Sequence, residues 1–295
     1  MGDAFSRCHP AVNFCFFVGA IGCTMFLMHP VFLAVSLLAA AAYFGYLRKV
    51  GAAKGGMLWV IPTALLVAVI NPMFSHQGVT ILTYVRNNPI TLESILYGAA
   101  MGVLFAAVAL WFSCYNAVMT SDKFLYLFGR VIPALSLVLS MALRFVPRFR
   151  AQLRRISDGQ RCLGRDPGSG NVLERARHGL RILSILTTWA LENAIETADS
   201  MRSRGYGLRG RTSFSLYRLD RRDRILLGIM GGLAAVFLAG VFLGETKMRY
   251  YPSLGMKAPG ITGIMTDVAY TAFLLLPVGL DVWEDLQWRR IRSKL

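Results

Sequence analysis

Arginine dominates the chemistry available to this 295-residue chain. The sequence has 32 lysines and arginines against 16 aspartates and glutamates, and 20 of the cations fall between Lys123 and Arg224. A guanidinium is always charged and offers a rigid fork of donors that suits a carboxylate. Arg204 is the most informative of these cations, because it stands next to Gly205 at the end of a long helical pattern. The chemistry that the pattern favours is recognition of an anionic surface by a helix end.

No pattern in the sequence favours catalysis. The motifs GxxxxGK[ST], GxSxG and HExxH do not occur, and the cysteines and histidines share no metal-ligand spacing. We therefore expect no catalytic residue, no cofactor-binding residue and no metal ligand, and we expect that the protein is not an enzyme. Asp267 is the clearest acidic residue within an apolar run, and we interpret it as a carboxylate near the end of a span.

The composition predicts an all-α, polytopic helical membrane protein. The chain is 55% hydrophobic and 16% charged, with a mean hydropathy of +0.49, whereas an average soluble domain carries roughly 25% charged residues. A membrane span needs about 20 mostly apolar residues. Six runs approach that length, which gives about six transmembrane helices: 12–28, 31–47, 57–70, 94–118, 225–243 and 261–280.

The distribution of positive charge predicts the orientation of the chain. The loop with Arg48, Lys49 and Lys54 and the Arg-rich residues 120–224 should both be cytoplasmic under the positive-inside rule. Residues 124–145 then form a helix at the cytoplasmic interface, since a further span would place the Arg-rich block outside. This predicts an N-terminal membrane domain (1–119), a cytoplasmic coupling region (120–224) and a two-span segment (225–295), in a multi-pass plasma-membrane protein with cytoplasmic termini.

Two amphipathic helices are predicted in the coupling region. The first begins at Pro147 and ends before Gly164, and the second runs from about Val172 to Gly205. Their predicted apolar stripes are Phe149, Leu153, Ile156, Gln160 and Leu163 in the first helix, and Leu180, Leu183, Thr187, Leu191, Ala194, Ala198 and Met201 in the second. Both helices are too hydrophilic to span a membrane and long enough to reach a partner beyond it.

The segment from Glu196 to Thr212, with the letters ETADSMRSRGYGLRGRT, resembles the second Ala-Arg-Gly-type motif of the T components of energy-coupling factor transporters. This is the EcfT/CbiQ family. Leu143 to Pro147, with the letters LRFVP, is similar to the start of that family's first coupling helix, so the resemblance marks Arg144 and Pro147 as that start. The Cys8-His-Pro10 and His29-Pro30 sequences also resemble family features.

The resemblance implies a non-catalytic transmembrane coupling subunit of an ATP-driven importer for a vitamin or a transition-metal ion. Its partners would be two cytosolic ABC-type ATPases, a small substrate-binding S component and the lipid bilayer, and no nucleic acid. The ATPase-docking residues that it implies are Ser203, Arg204 and Gly205 at the second motif, and Cys162, Leu163 and Gly164 at the first, flanked by Arg161 and Arg165. The first motif departs from the family pattern, because Leu163 stands where the family has arginine.

Other functions remain open on the sequence alone. A stand-alone secondary transporter could use Asp267, but it should show an inverted internal repeat, and four spans, a cytoplasmic block and two spans do not divide into halves. A membrane enzyme should concentrate histidines and carboxylates at one face. A nucleic-acid binder should interleave aromatic residues with its arginines, and few aromatic residues lie between 144 and 211.

Overall fold

The computed structural model describes residues 4–49, 57–75, 78–85, 88–129, 133–165, 168, 171–206, 217–252, 254–256 and 260–292. Helices dominate these ranges, which confirms the all-α class. The helices are α1 (Pro10–Phe26), α2 (Pro30–Lys49), α3 (Met57–Phe74), α4 (Leu92–Val118), α5 (Ser121–Gly129), α6 (Pro133–Cys162), α7 (Val172–Ser203), α8 (Arg221–Phe242) and α9 (Ile261–Arg292). Two short antiparallel hairpins pair β1 (Ile81–Val85) with β2 (Asn88–Thr91), and β3 (Met248–Arg249) with β4 (Gly255–Met256).

Four of the described helices, α2, α4, α8 and α9, are long and apolar enough to cross a membrane. The shorter apolar helices α1, with 17 residues, and α3, with 18 residues, are at the lower end of the length that a span requires. These findings confirm a polytopic helical membrane protein. The figure of six spans, which needs α1 and α3 to cross as well, stays a prediction.

The chain divides into two compact units. The membrane unit comprises Met1–Phe124 and Tyr217–Leu295, and the arm unit comprises Leu125–Leu216. The predicted domain boundaries at 119/120 and 224/225 stay predictions. The return helix α8 begins at Arg221, four residues before the predicted span, because the Asp223 carboxylate accepts a hydrogen bond from the backbone N–H of Asp220 at 3.3 Å and so satisfies a donor at the helix start.

Aromatic side chains form the core of the membrane unit. Phe5, Phe16, Phe17, Tyr43 and Trp111 are fully buried. Phe5 meets the ring of Phe16 edge to face at 5.3 Å, and Phe16 meets Trp111 in the same way at 5.6 Å. Such edge-to-face pairs contribute beyond the area they bury. They join the N-terminal residues to α1 and α4.

Small and hydroxyl-bearing residues let the helices of the membrane unit approach closely. A Cβ added at Gly102 would lie 2.7 Å from the carbonyl oxygen of Ala64, so α3 and α4 touch through their backbones there. In the core, the Thr24 and Ser36 hydroxyls lie 2.7 Å apart, and the Trp111 indole N–H donates to Ser36 at 3.0 Å. Small residues and buried hydrogen bonds are the usual means of helix association in lipid, where the hydrophobic effect between helices is absent.

Candidate docking ends of the coupling helices

The two helices of the arm unit contact each other near their midpoints, at a point that we call the crossing. The Phe149 ring of α6 meets the Trp189 ring of α7 edge to face at 5.7 Å, and the Arg148 guanidinium lies 5.6 Å from the centre of the same Trp189 ring. Thirteen residues follow Phe149 in α6 and fourteen follow Trp189 in α7. At 1.5 Å per residue, each helix extends about 20 Å beyond the crossing. The arm unit thus carries two arms of nearly equal length.

The prediction that the first coupling helix begins at Pro147 is wrong. Helix α6 begins at Pro133, where proline suits a first turn, and Arg144 and Pro147 lie in its interior. A proline inside a helix has no N–H for the carbonyl of residue 143 and clashes with it, which costs about 3 kcal/mol. The helix nevertheless continues through Pro147, two residues before the aromatic contact with α7. The predicted helix over 124–145 is described in part: α5 ends at Gly129, α6 begins at Pro133, and residues 130–132 lie outside the described residues.

The predicted apolar stripe of α7 is not the face that contacts α6. Within that stripe Leu180, Leu183 and Leu191 are 66%, 56% and 63% exposed. The less exposed face carries Ile182 and Trp189, which lie about a third of a turn away from the stripe. Helix α7 is therefore apolar on two faces, and among the described residues of the arm unit only one of these faces is packed. In α6 the predicted stripe is half right, because Phe149 and Ile156 are partly buried while Leu153 and Leu163 are exposed.

The α6 end, residues 160–165, closes in a motif that reverses the chain at a glycine. Gly164 has φ +70°, as predicted for a residue after the helix. Its N–H donates to the Arg161 carbonyl at 2.9 Å, and the Arg165 N–H donates to the Gln160 carbonyl at 2.9 Å. This pair of bonds defines a Schellman motif, in which the left-handed position favours glycine because it lacks a Cβ. Leu163 occupies the C-cap position, and its N–H donates to Gln160 at 3.2 Å.

The α7 end, residues 201–206, repeats this geometry. Gly205 has φ +76°, its N–H donates to the Arg202 carbonyl at 3.0 Å, and the Tyr206 N–H donates to the Met201 carbonyl at 3.0 Å. Arg204 is the C-cap residue, and its N–H donates to the Met201 carbonyl at 3.2 Å. The three hydrogen bonds at the two ends agree within 0.1 Å. Leu163 and Arg204 therefore occupy equivalent backbone positions.

The structure places all eight predicted docking residues at these two ends. Arg161, Cys162, Leu163, Gly164 and Arg165 are exposed at the α6 end, as are Ser203 and Arg204 at the α7 end, where Gly205 is half-buried. A cation at a helix C-terminus also interacts favourably with the carbonyl end of the helix dipole. Each end is thus an exposed, hydrogen-bonded helix terminus, with a cation at one C-cap position and an apolar side chain at the other.

A cluster at the N-terminus, which the sequence patterns did not indicate, holds the membrane unit together at the residues that lead into the arm unit. The Phe5 N–H donates to the Asp281 carboxylate at 2.9 Å, Arg7 forms an ion pair with Glu284 at 2.7 Å, and the Lys123 ammonium donates to the carbonyls of Ser6 and Val118. These N-terminal residues thereby bind α9 and the end of α4. The charged residues of this cluster are visible in the sequence. The residues that pair lie up to 277 positions apart, however, and no local pattern indicates such a pair.

The same cluster includes His9, just before α1. Its backbone N–H donates to the Asp223 carboxylate at 3.2 Å, which joins the N-terminus to α8. Burial lowers the pKa of the His9 imidazole, while the charge of Asp223 acts in the opposite direction. The imidazole Nδ1 accepts a hydrogen bond from the Ala11 N–H at 3.2 Å and caps α1. A neutral His9 therefore serves the start of this helix.

The residues that could hold a metal do not come together in the part of the chain that the structure describes. No group of three histidine, cysteine, aspartate or glutamate side chains is close enough to bind an ion among these residues. Asp267 lies in α9 and is partly buried.

Comparison with known proteins finds relatives named energy-coupling factor transporter transmembrane protein EcfT. The protein of Lactobacillus helveticus is 35% identical over 119 residues, which cover 39% of this chain and 43% of the relative. That of Lacticaseibacillus paracasei is 36% identical over 108 residues, 36% of this chain and 41% of the relative. That of Acidaminococcus fermentans is 29% identical over 248 residues, 77% of this chain and 88% of the relative. The first two matches thus span less than half of those relatives. No protein-family model matches the chain.

Proposed function

Because this chain is a transmembrane protein of the EcfT type, the T component of energy-coupling factor transporters, we propose that it is the non-catalytic coupling subunit of an ATP-driven importer. The observation that carries the proposal is the pair of exposed ends on α6 and α7, which share one hydrogen-bonded geometry. The α7 end presents Arg204 at the C-cap position, where the resemblance expects the ATPase contact. In this role the protein transmits force and performs no reaction itself.

The two arms give the proposal a mechanism. Two cytosolic ABC-type ATPases bind one helix end each, and their closure on ATP moves both ends. The crossing at Phe149 and Trp189 transmits the movement along α6 and α7. The exposed apolar stripe of α7, with Leu180, Leu183 and Leu191, supports a small membrane S component that binds a vitamin or a transition-metal ion. Tilting of that component would expose its substrate to the cytoplasm.

The proposed orientation follows from the charges. We infer that the chain lies in the plasma membrane with both termini and the arm unit in the cytoplasm. Cys162 is a free, exposed cysteine at the α6 end, and Val79, just before β1, is 69% exposed. A membrane-impermeant maleimide added to intact cells should therefore leave Cys162 unlabelled and label a Val79→Cys variant. Labelling of Cys162 from outside contradicts this topology.

Identification of the subunits tests the function. Purification of the tagged chain in mild detergent should recover two ATPase chains, identical or different, and one small membrane protein. The complex, reconstituted into liposomes with ATP inside or outside, should take up the substrate of that small protein only when the ATPases can hydrolyse ATP. A chain that purifies alone and transports a solute along an ion gradient without ATP would contradict the proposal and favour a secondary transporter.

A further inference from the structure

Leu163 is an exposed apolar side chain at the C-cap position of the α6 end, whereas the equivalent position of the α7 end carries the cation of Arg204. It is 65% exposed, and it occupies the C-cap position of a Schellman motif whose hydrogen bonds match those around Arg204. A buried packing role within the described arm unit does not account for it. An exposed leucine directly after a 30-residue helix can bury its apolar surface in a pocket of a partner.

The neighbouring arginines do not restore the missing cation at this position. The Arg161 guanidinium lies 3.7 Å from the Asp158 carboxylate of its own helix. Arg161 also precedes Leu163 by two residues, so the two side chains leave the helix about 160° apart around its axis. Arg165 follows the chain reversal at Gly164. The two arginines therefore flank Leu163 rather than replace it.

Charge complementarity indicates the surroundings of the pocket. The sequence of residues 151–166 has four arginines, Arg154, Arg155, Arg161 and Arg165, and two acidic residues, Asp158 and Asp166. A partner surface that receives this end meets a leucine at the tip and positive charge around it. Complementary potentials favour an acidic rim around an apolar floor.

We propose that the α6 end binds a groove with an apolar pocket for Leu163 and an acidic rim for Arg161 and Arg165, whereas the α7 end binds a groove with a carboxylate for Arg204. The inference rests on the proposed function, because it concerns the ATPases that the coupling subunit binds. It goes further by assigning different chemistry to the two grooves. The partner is then a pair of ATPase surfaces that are not equivalent, and each arm selects one of them.

Binding measurements on the purified chain test the inference. The ATPases that co-purify with the chain are expressed separately, and their affinity for each variant is measured in detergent. Leu163→Met should bind like the parent, because it keeps an apolar side chain of similar volume. Leu163→Ala should bind about 10-fold more weakly, because it removes most of the buried apolar area. Leu163→Arg should bind at least as weakly as Leu163→Ala.

Ile195→Arg provides the matched control. Ile195 is also 65% exposed but lies on α7, two turns before its end, so its replacement adds the same charge to the arm unit without altering a C-cap position. ATPase affinity should be unchanged. If Leu163→Arg binds as tightly as the parent or more tightly, the groove is acidic at its centre and the inference is wrong.

The Arg204→Ala variant separates this failure from failure of the proposed function. If Arg204→Ala loses affinity while Leu163→Arg does not, the coupling role stands and only the apolar groove is excluded. If neither substitution alters ATPase binding, the coupling role itself fails. Photo-crosslinking residues placed at 163 and at 204 give an independent readout: they should label different groove residues. Labelling of the same groove residues from both positions overturns the inference.

Discussion

At the α7 end the C-cap side chain is the guanidinium of Arg204, and at the α6 end it is the apolar side chain of Leu163. The backbones around them are alike: three hydrogen bonds at 2.9–3.2 Å, and a glycine with φ near +70° in each motif. The two helix ends therefore share their backbone geometry and differ in the chemistry of the C-cap side chain. The shared geometry ends both helices in the same way, and in the proposed function the differing residue sets what each end binds.

The largest expected effect is on the cationic end. Arg204→Ala should weaken ATPase binding roughly 30-fold or more and abolish ATP-driven uptake, because removing one member of a desolvated charge pair costs about 2–5 kcal/mol. Arg204→Lys should recover only part of the affinity, since an ammonium lacks the planar fork. Arg202→Ala, an exposed cation two residues earlier, is the control and should retain uptake. Full uptake by Arg204→Ala would remove the role assigned to this end.

Loss of the crossing should affect both ends together. Trp189→Ala removes the contacts with Phe149 and Arg148, which we expect to be worth about 1–2.5 kcal/mol in total. ATPase binding should persist at each end, while uptake per ATP hydrolysed falls, because the arms no longer move as a pair. Trp59→Ala, on the exposed face of α3, is a tryptophan control. Unchanged coupling in Trp189→Ala would show that each arm acts alone.

The glycines test whether the two backbones are equivalent. Gly164→Ala and Gly205→Ala each place a Cβ at positive φ, which costs about 1–2 kcal/mol. No atom lies within 4 Å of a Cβ added at Gly164, so the backbone conformation and not crowding causes the loss there. We expect similar increases in amide hydrogen exchange of the last turn in both variants. Faster exchange at one end alone would show that the backbones of the two ends are not equivalent.

The smallest effects should come from the flanking arginines. Arg161→Ala and Arg165→Ala remove exposed cations, whose ion pairs are typically worth 0–1 kcal/mol, so ATPase affinity should fall by less than about fivefold. The loss should shrink further at high salt, because exposed charges are screened. A loss as large as that of Arg204→Ala would show that one of these arginines has taken over the missing contact.

Some of these features could be read from the sequence because they depend on neighbouring residues. Apolar runs about as long as a bilayer is thick indicated the spans, and the structure gives helices over all six of them. Gly164 and Gly205 marked the helix ends, because a left-handed residue after a helix is nearly always glycine. The sequence predicts that the second coupling helix starts at about Val172, and in the structure the Asn171 side chain caps that start by accepting a hydrogen bond from the Val172 N–H at 2.8 Å.

Other features could not be predicted from the sequence, because the residues nearby are equally compatible with two structures. Pro147 is as compatible with a first turn as with a helix that tolerates a lost hydrogen bond, and only the longer context of α6 decides between them. Helix α7 has apolar residues on two faces, and periodicity cannot tell which one meets α6. The docking residues could be named only through the resemblance, and their role in binding ATPases stays a prediction.

By itself, the sequence determined the helical class, the membrane location, the two helix-ending glycines and the difference between Leu163 and Arg204, since each depends on residue type or on spacing within a few turns. The tertiary structure decided which face of α7 contacts α6 and how the N-terminal residues bind Lys123, Asp281 and Glu284. These outcomes depend on contacts between residues far apart in the chain. The free energy of such contacts depends on which groups meet in three dimensions, and no local pattern specifies that.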